Sequence, residues 1–177
     1  MLVENRSGFT VANAVLAASA VSLVAAASGC DKPNTTVIVD NGYPQASAGA
    51  LVVYRAHWQA VTFEQPIAPG SSSEPEPTVP ASGNTAYVVL APGWDPTSSA
   101  PPTSFVVMES SSGFGVHLDE TLHIPVDDGS FVGNCAANSF LSPSEAAFIT
   151  RQVFPSVFAG LAYDPATCAT TAIGDGP

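Results

Sequence analysis

Apolar and polar residues alternate along short stretches of this chain, and clusters of turn-forming residues separate the stretches. Thr36-Val37-Ile38-Val39 reads as a strand, stopped by the turn signal Asp40-Asn41-Gly42. The run from Ala50 to Phe63 is long and β-rich. Within it Tyr54, Ala56, Trp58 and Ala60 alternate with Arg55, His57 and Gln59, which predicts one buried and one wetter face. Pro66 to Gly83 is punctuated by Pro66, Pro69, Pro75, Pro77 and Pro80 and predicts a long exposed loop, with a short edge strand near Thr78-Val79. Strands are expected at Thr85–Leu90 and Ser104–Glu109, separated by a Pro/Ser loop from Gly93 to Pro102. Gly113 to Val126 reads as one or two more, bent at Asp119-Glu120, and Asp127-Asp128-Gly129 is a turn.

The pattern changes after residue 140. Ser142-Pro143-Ser144-Glu145 is a capping box with Ser at the N-cap, Pro at the first helical position and Glu at the third. Ile149, Val153 and Val157 follow at helical spacing, and Pro155 must kink or split the segment 142–161. The expected fold is mainly β: a β-sandwich of about six or seven strands with a C-terminal helix at an edge or end, an open barrel being the alternative. The domain plan is a leader at 1–29, a tether at 30–35 and one β-rich domain at 36–177.

Composition sharpens this picture. Hydrophobic residues make up 46% of the 177, so the chain can build a core. Charged residues are only 11%, against roughly 25% in an average domain, which disfavours long solvated helices. The net charge of −11 repels phosphate backbones and excludes nucleic acid as a partner class. It also opposes adhesion to an anionic bilayer, so membrane attachment would need a covalent lipid.

Such an attachment is signalled at the N-terminus. Ser7 to Gly29 carries no charge, is rich in Ala and Val, and follows Arg6. It ends in Ala27-Ser28-Gly29-Cys30, which resembles the lipobox of bacterial lipoproteins, where small residues precede a lipidated cysteine. Ala27 stands where Leu is usual in that motif. The resemblance covers the first 30 residues and implies an address: cleavage before Cys30, a lipid on its thiol, and residence in a bacterial cell envelope, with inner or outer membrane left open. An uncleaved anchor, a plain signal peptide and a prepilin-like site at Gly8-Phe9 are the competing readings.

Two further cysteines, Cys135 and Cys168, are expected to pair in an oxidising compartment and to staple the helical segment. The loop closed spans about 34 residues, worth on the order of 3–4 kcal/mol in the chain-entropy model. Candidate chemistry is sparse. His117, Asp119 and His123 could gather near one edge as metal ligands, and Asp119, Glu120, Asp127 and Asp128 form an acidic group of the kind calcium favours. Neither set has the spacing of a known metal motif. Trp94, beside Asp95 in a Pro/Gly loop, could stack on a ligand or cap the core. Gly-x-Ser-x-Gly and His-Glu-x-x-His are absent, and no motif requires a cofactor. The expected function is a lipid-anchored, non-enzymatic envelope module binding a protein or saccharide; the alternative is an envelope hydrolase or divalent-metal protein using dispersed His and acidic residues.

Overall fold

Alternation in Thr36–Asn41 (β1) survives in three dimensions: Val37, Val39 and Asn41 are buried, while Thr36, Ile38 and Asp40 are half-buried. The computed structural model describes residues 34–45, 50–133 and 141–174. These belong to a unit spanning Asp31–Pro177.

The long run after Ala50 is two strands. Leu51–Trp58 (β2) and Val61–Phe63 (β3) form an antiparallel hairpin with Trp58 opposite Val61. Gln59 makes the reversal possible by adopting a left-handed backbone, φ 55°. The expected loop 66–83 contains Glu76–Pro77 (β4) and Ala81–Asn84 (β5). Ala86–Pro92 (β6), Val106–Ser110 (β7), Phe114–Val116 (β8), Thr121–Val126 (β9) and Phe131–Gly133 (β10) follow. In the β5–β8 pair, a Cβ on Gly113 would collide with the Gly83 backbone, so the chain can pass there only as glycine.

Two larger sheets result, β4-β1-β9 and β10-β7-β6-β2-β3. β1 runs parallel to β9 and antiparallel to β4, whereas the five-stranded sheet is antiparallel throughout. Pro77 and Pro125 both lie on edge strands, where a missing N–H costs no ladder bond. Val37, Val39, Ile124 and Val126 from the small sheet share one core with Val53, Ala56, Trp58, Val88, Leu90 and Met108 from the large one.

The large sheet is apolar on its other face too. Val89 and Val107, alternating with the core residues, join Phe105, Leu141, Ala146, Ile149, Phe154 and Phe158 in a second cluster. The C-terminal helical segment therefore covers a sheet face, not an edge or end as expected. Double burial explains the unbroken apolar run of β6, from Ala86 to Ala91. A bulge between Val53 and Arg55 shifts the register of β2. Ala56 and Trp58 stay in the first core, but Tyr54 packs against the second cluster, correcting the single buried face expected for this run.

The capping box forms: the Ser142 hydroxyl accepts from the Glu145 N–H, and the Glu145 carboxylate accepts from the Ser142 N–H. The α-helix is short, Pro143–Phe148 (α1), and continues as a π-helical stretch, Ile149–Val153. Phe154 leaves it at φ −120°, ψ 52°, because a residue before proline is driven out of the helical region. The expected segment 142–161 thus stops at Val153 and goes on as turns. Leu161–Tyr163 (β11) and Thr170–Ala172 (β12) then pair as a small hairpin that the sequence pattern did not announce. The molecule is mainly β, with more and shorter strands than expected. Cys168 is the only cysteine among the described residues; Cys135, its expected partner, and Cys30 lie outside them. No helix among the described residues is long and apolar enough to cross a membrane.

Candidate functional site

Trp94 is half-buried and clamped. Its indole N–H donates to the Ala100 carbonyl at 2.8 Å, and its ring meets Tyr54 edge-on at 5.3 Å between centroids. Asp95 accepts from the N–H and the hydroxyl of Thr97 at 2.8 and 2.7 Å, and these bonds hold its carboxyl below the usual range. Both residues thus serve the loop that closes over the second cluster.

His117, Asp119 and His123 are engaged separately. The Asp119 carboxylate accepts from the Asn34 N–H at 3.0 Å. His123 Nδ1 lies 2.9 Å from Asp40 Oδ2, an exposed pair of the kind that contributes little stability. His117 is exposed, and its backbone N–H donates to Glu120 Oε2 at 3.2 Å. Among the described residues no group of three His, Cys, Asp or Glu side chains converges on a metal position. The expected metal cluster is not assembled.

Ser72 and His123 both bond to Asp40, the hydroxyl donating at 2.5 Å. The carboxylate stands between hydroxyl and imidazole, so the imidazole is not placed to take the serine proton, as a nucleophilic triad requires. The acidic group is also divided. β9 separates Asp119 and Glu120 from Asp127 and Asp128, a strand about 20 Å long. Asp127 accepts from the N–H groups of Gly129 and Ser130, and Asp128 from the Tyr43 hydroxyl at 2.9 Å. Burial and then Asp128 push the Tyr43 phenol well above its ordinary range. Glu109, on β7, has its carboxyl raised by burial and, second, by the charge of Glu145.

A concavity lies elsewhere, between the helical segment and the β11–β12 hairpin. It encloses about 430 Å³, within the span of small-ligand pockets. Ala146, Ala147, Thr150 and Arg151 form one wall, Pro155 and Phe158 the next, and Leu161, Ala162, Tyr163 and Ile173 the opposite side. The Thr150 hydroxyl turns back onto its own helix, donating to the Ala146 carbonyl at 2.9 Å. Arg151 is exposed, and among the described residues no carboxylate lies within ion-pair distance of it. The other described cation, Arg55, pairs with Glu64 at 3.0 Å and lies over the Tyr54 ring at 4.2 Å. The groove thus has a lining of mixed polar and apolar character, with a guanidinium at its rim that has no carboxylate partner among the described residues. Sequence reading missed it. Its one signal was an Arg on the helical segment of a chain with four Lys and Arg in all. A second hollow of about 400 Å³, beside β3, is lined by Glu64, Glu74 and Glu76.

Compared with known proteins, the chain matches no family model, no curated protein and no solved structure.

Proposed function

We propose that this chain is a lipid-anchored protein of a bacterial cell envelope that binds its ligand without chemistry, in the groove beneath Arg151. The observation that carries the binding reading is the pairing of a groove with apolar walls from Pro155, Phe158, Leu161 and Ile173 with a guanidinium that has no carboxylate partner among the described residues, in a strongly acidic chain. A ligand that fits both is apolar with one carboxylate, and the C-terminal end of an extended apolar peptide has that form. Arg can hold a carboxylate through two parallel N–H donors, while the trough takes the side chains. The test is a titration with acetyl-Leu-Ala-Leu as the free acid and as the amide, followed by the backbone amide resonances of Ala147 and Ala162. The acid is expected to bind at least about tenfold more tightly than the amide, with the difference lost in Arg151→Gln. Equal binding of both forms, or none, would overturn the reading.

The address rests on Ala27-Ser28-Gly29-Cys30. In this reading the two sheets around the first core make a β-sandwich, and Cys168, 3% exposed, pairs with Cys135. Intact mass of protein from membranes of a lipoprotein-competent host checks both points. The expected mass starts at Cys30 with acyl groups and rises by two protons on reduction. A mass that includes residues before Cys30, or lacks acyl groups, would exclude the anchor.

A further inference from the structure

The first described residues are gripped where the chain comes in to β1. The Asn34 N–H donates to the Asp119 carboxylate at 3.0 Å, and the Asp119 N–H donates to the Thr35 hydroxyl at 2.9 Å. From the other side, the Thr78 N–H donates to the Thr35 carbonyl at 3.0 Å. Thr35 is fully buried between these two loops. Each loop carries one large exposed apolar side chain, Val79 at 63% and Leu118 at 59%. Leu118 stands at the apex of a tight turn, closed by the Glu120 N–H on the His117 carbonyl at 3.3 Å and by a left-handed Asp119, φ 61°. Single exposed apolar residues are ordinary on a protein surface. Here two of the four large ones among the described residues flank the point where the N-terminal segment joins the domain.

We infer that this end of the domain docks on the bilayer, with Val79 and Leu118 inserting into the interfacial layer of the membrane that holds Cys30. The inference rests on the lipid-anchor reading. Asn34 is four residues from Cys30, so even a fully extended chain separates them by no more than about 14 Å. The end of the domain carrying Asn34 is therefore held within that distance of the lipid attachment. Apolar groups at an interface sink about 5–10 Å into the boundary between headgroups and acyl chains, a depth that such a short tether permits. Two acidic residues, Asp119 and Glu120, lie beside Leu118, and each carboxylate accepts from a backbone N–H. The surface therefore suits a zwitterionic bilayer better than an anionic one.

The test uses the full chain, produced in a lipoprotein-competent host and reconstituted into vesicles of phosphatidylcholine with brominated acyl chains. Leu118→Trp and Val79→Trp each place an indole at the proposed contact, and Ile173→Trp, at a 61% exposed position beside the ligand groove, is the control. The added emission at 118 and 79 is expected to be quenched at least about twofold more than that at 173. Intact mass of the same samples separates the two possible failures. Acylated protein with equal quenching at all three positions overturns the docking surface and leaves the anchor standing. Protein without acyl groups overturns the anchor, and the docking surface falls with it.

Discussion

Asn41 reaches across the end of the first core to Ile67, its side-chain amide donating to the Ile67 carbonyl at 2.9 Å. The same amide donates to the Leu51 carbonyl at 2.9 Å, and the side-chain oxygen accepts from the Tyr43 N–H at 3.2 Å. The residue is 2% exposed, and its backbone N–H and carbonyl are bonded to Ser71 and Gly70. One side chain thus ties β1, β2 and the loop after β3 together. Replacing it with Leu removes both bonds: the Ile67 carbonyl keeps the Val53 N–H at 3.1 Å, the part-buried Leu51 carbonyl loses the amide donor, and the expected loss is about 1–3 kcal/mol in urea unfolding. Asn41→Asp should cost at least as much, because a carboxylate cannot donate and would be buried charged. A loss below about 1 kcal/mol for both variants would show that these carbonyls find other donors.

Trp94 should behave as a structural clamp. Trp94→Ala removes the edge contact with Tyr54 and the bond to Ala100, and is expected to lower stability by about 1–3 kcal/mol. Trp94→Phe keeps part of the aromatic contact and should lose less. If thermal unfolding of Trp94→Ala matched the unaltered protein, the clamp assignment would be wrong.

His57 makes stability depend on pH in a defined direction. Burial lowers its pKa below the ordinary histidine value, and the backbone bond near Gln59 opposes this only in part. The unfolded chain therefore takes up the proton first. The stabilising contribution of neutral His57 is present above its unfolded pKa, about 6.5, and is lost as pH falls through the lower folded value. Unfolding measured from pH 7.5 down to 5 should show this loss, and His57→Gln should flatten the profile over that window. Parallel profiles for the two proteins would refute it.

The capping box offers a local check. Ser142→Ala deletes the acceptor for the Glu145 N–H and is expected to cost about 1 kcal/mol. Glu145 in its turn has a carboxyl held below the ordinary range by its bonds to Ser142. Its contribution is present above the unfolded glutamate pKa and fades as pH falls through the lowered one. Hydrogen exchange of the α1 amides should quicken in Ser142→Ala while those of β6 stay protected. Uniform acceleration in both elements would mean that the helix and sheet open as one unit.

The long apolar runs were legible because their physics is local. β1, β6, β7 and β9 lie where alternation and turn residues place them, and the start of α1 follows from Ser142 and Glu145. The β2–β3 reversal was not legible, since Gln59-Ala60 offers neither the Gly nor the Asn that announces a left-handed turn. The bulge that sends Tyr54 to the opposite face depends on how β2 pairs with β6, which no single stretch encodes. β4, β5 and β10 are two to four residues long and owe their form to partners distant in the chain, while β11 and β12 are three-residue strands that pair with each other across a long turn. The groove escaped for the same reason: its walls come from Ala146 to Arg151 and from Leu161 to Ile173. The histidines and acids drew notice as residue types, but Asp119, His123, Asp127 and Asp128 proved to be held by separate partners, and His117 is exposed.

A sheet covered on both faces imposes an order of events on a chain that emerges N-terminus first. When synthesis has delivered residues up to Gly133, all five strands of the large sheet are present. The layer that shields Val89, Phe105 and Val107 is still to come, because it is built from Leu141 to Phe158. A partly delivered domain therefore shows a sticky β surface to its surroundings, and chaperone demand should peak just before the last stretch arrives. Loss of the segment from Leu141 to Phe158 would recreate that surface and turn the folded domain into a seed for aggregation.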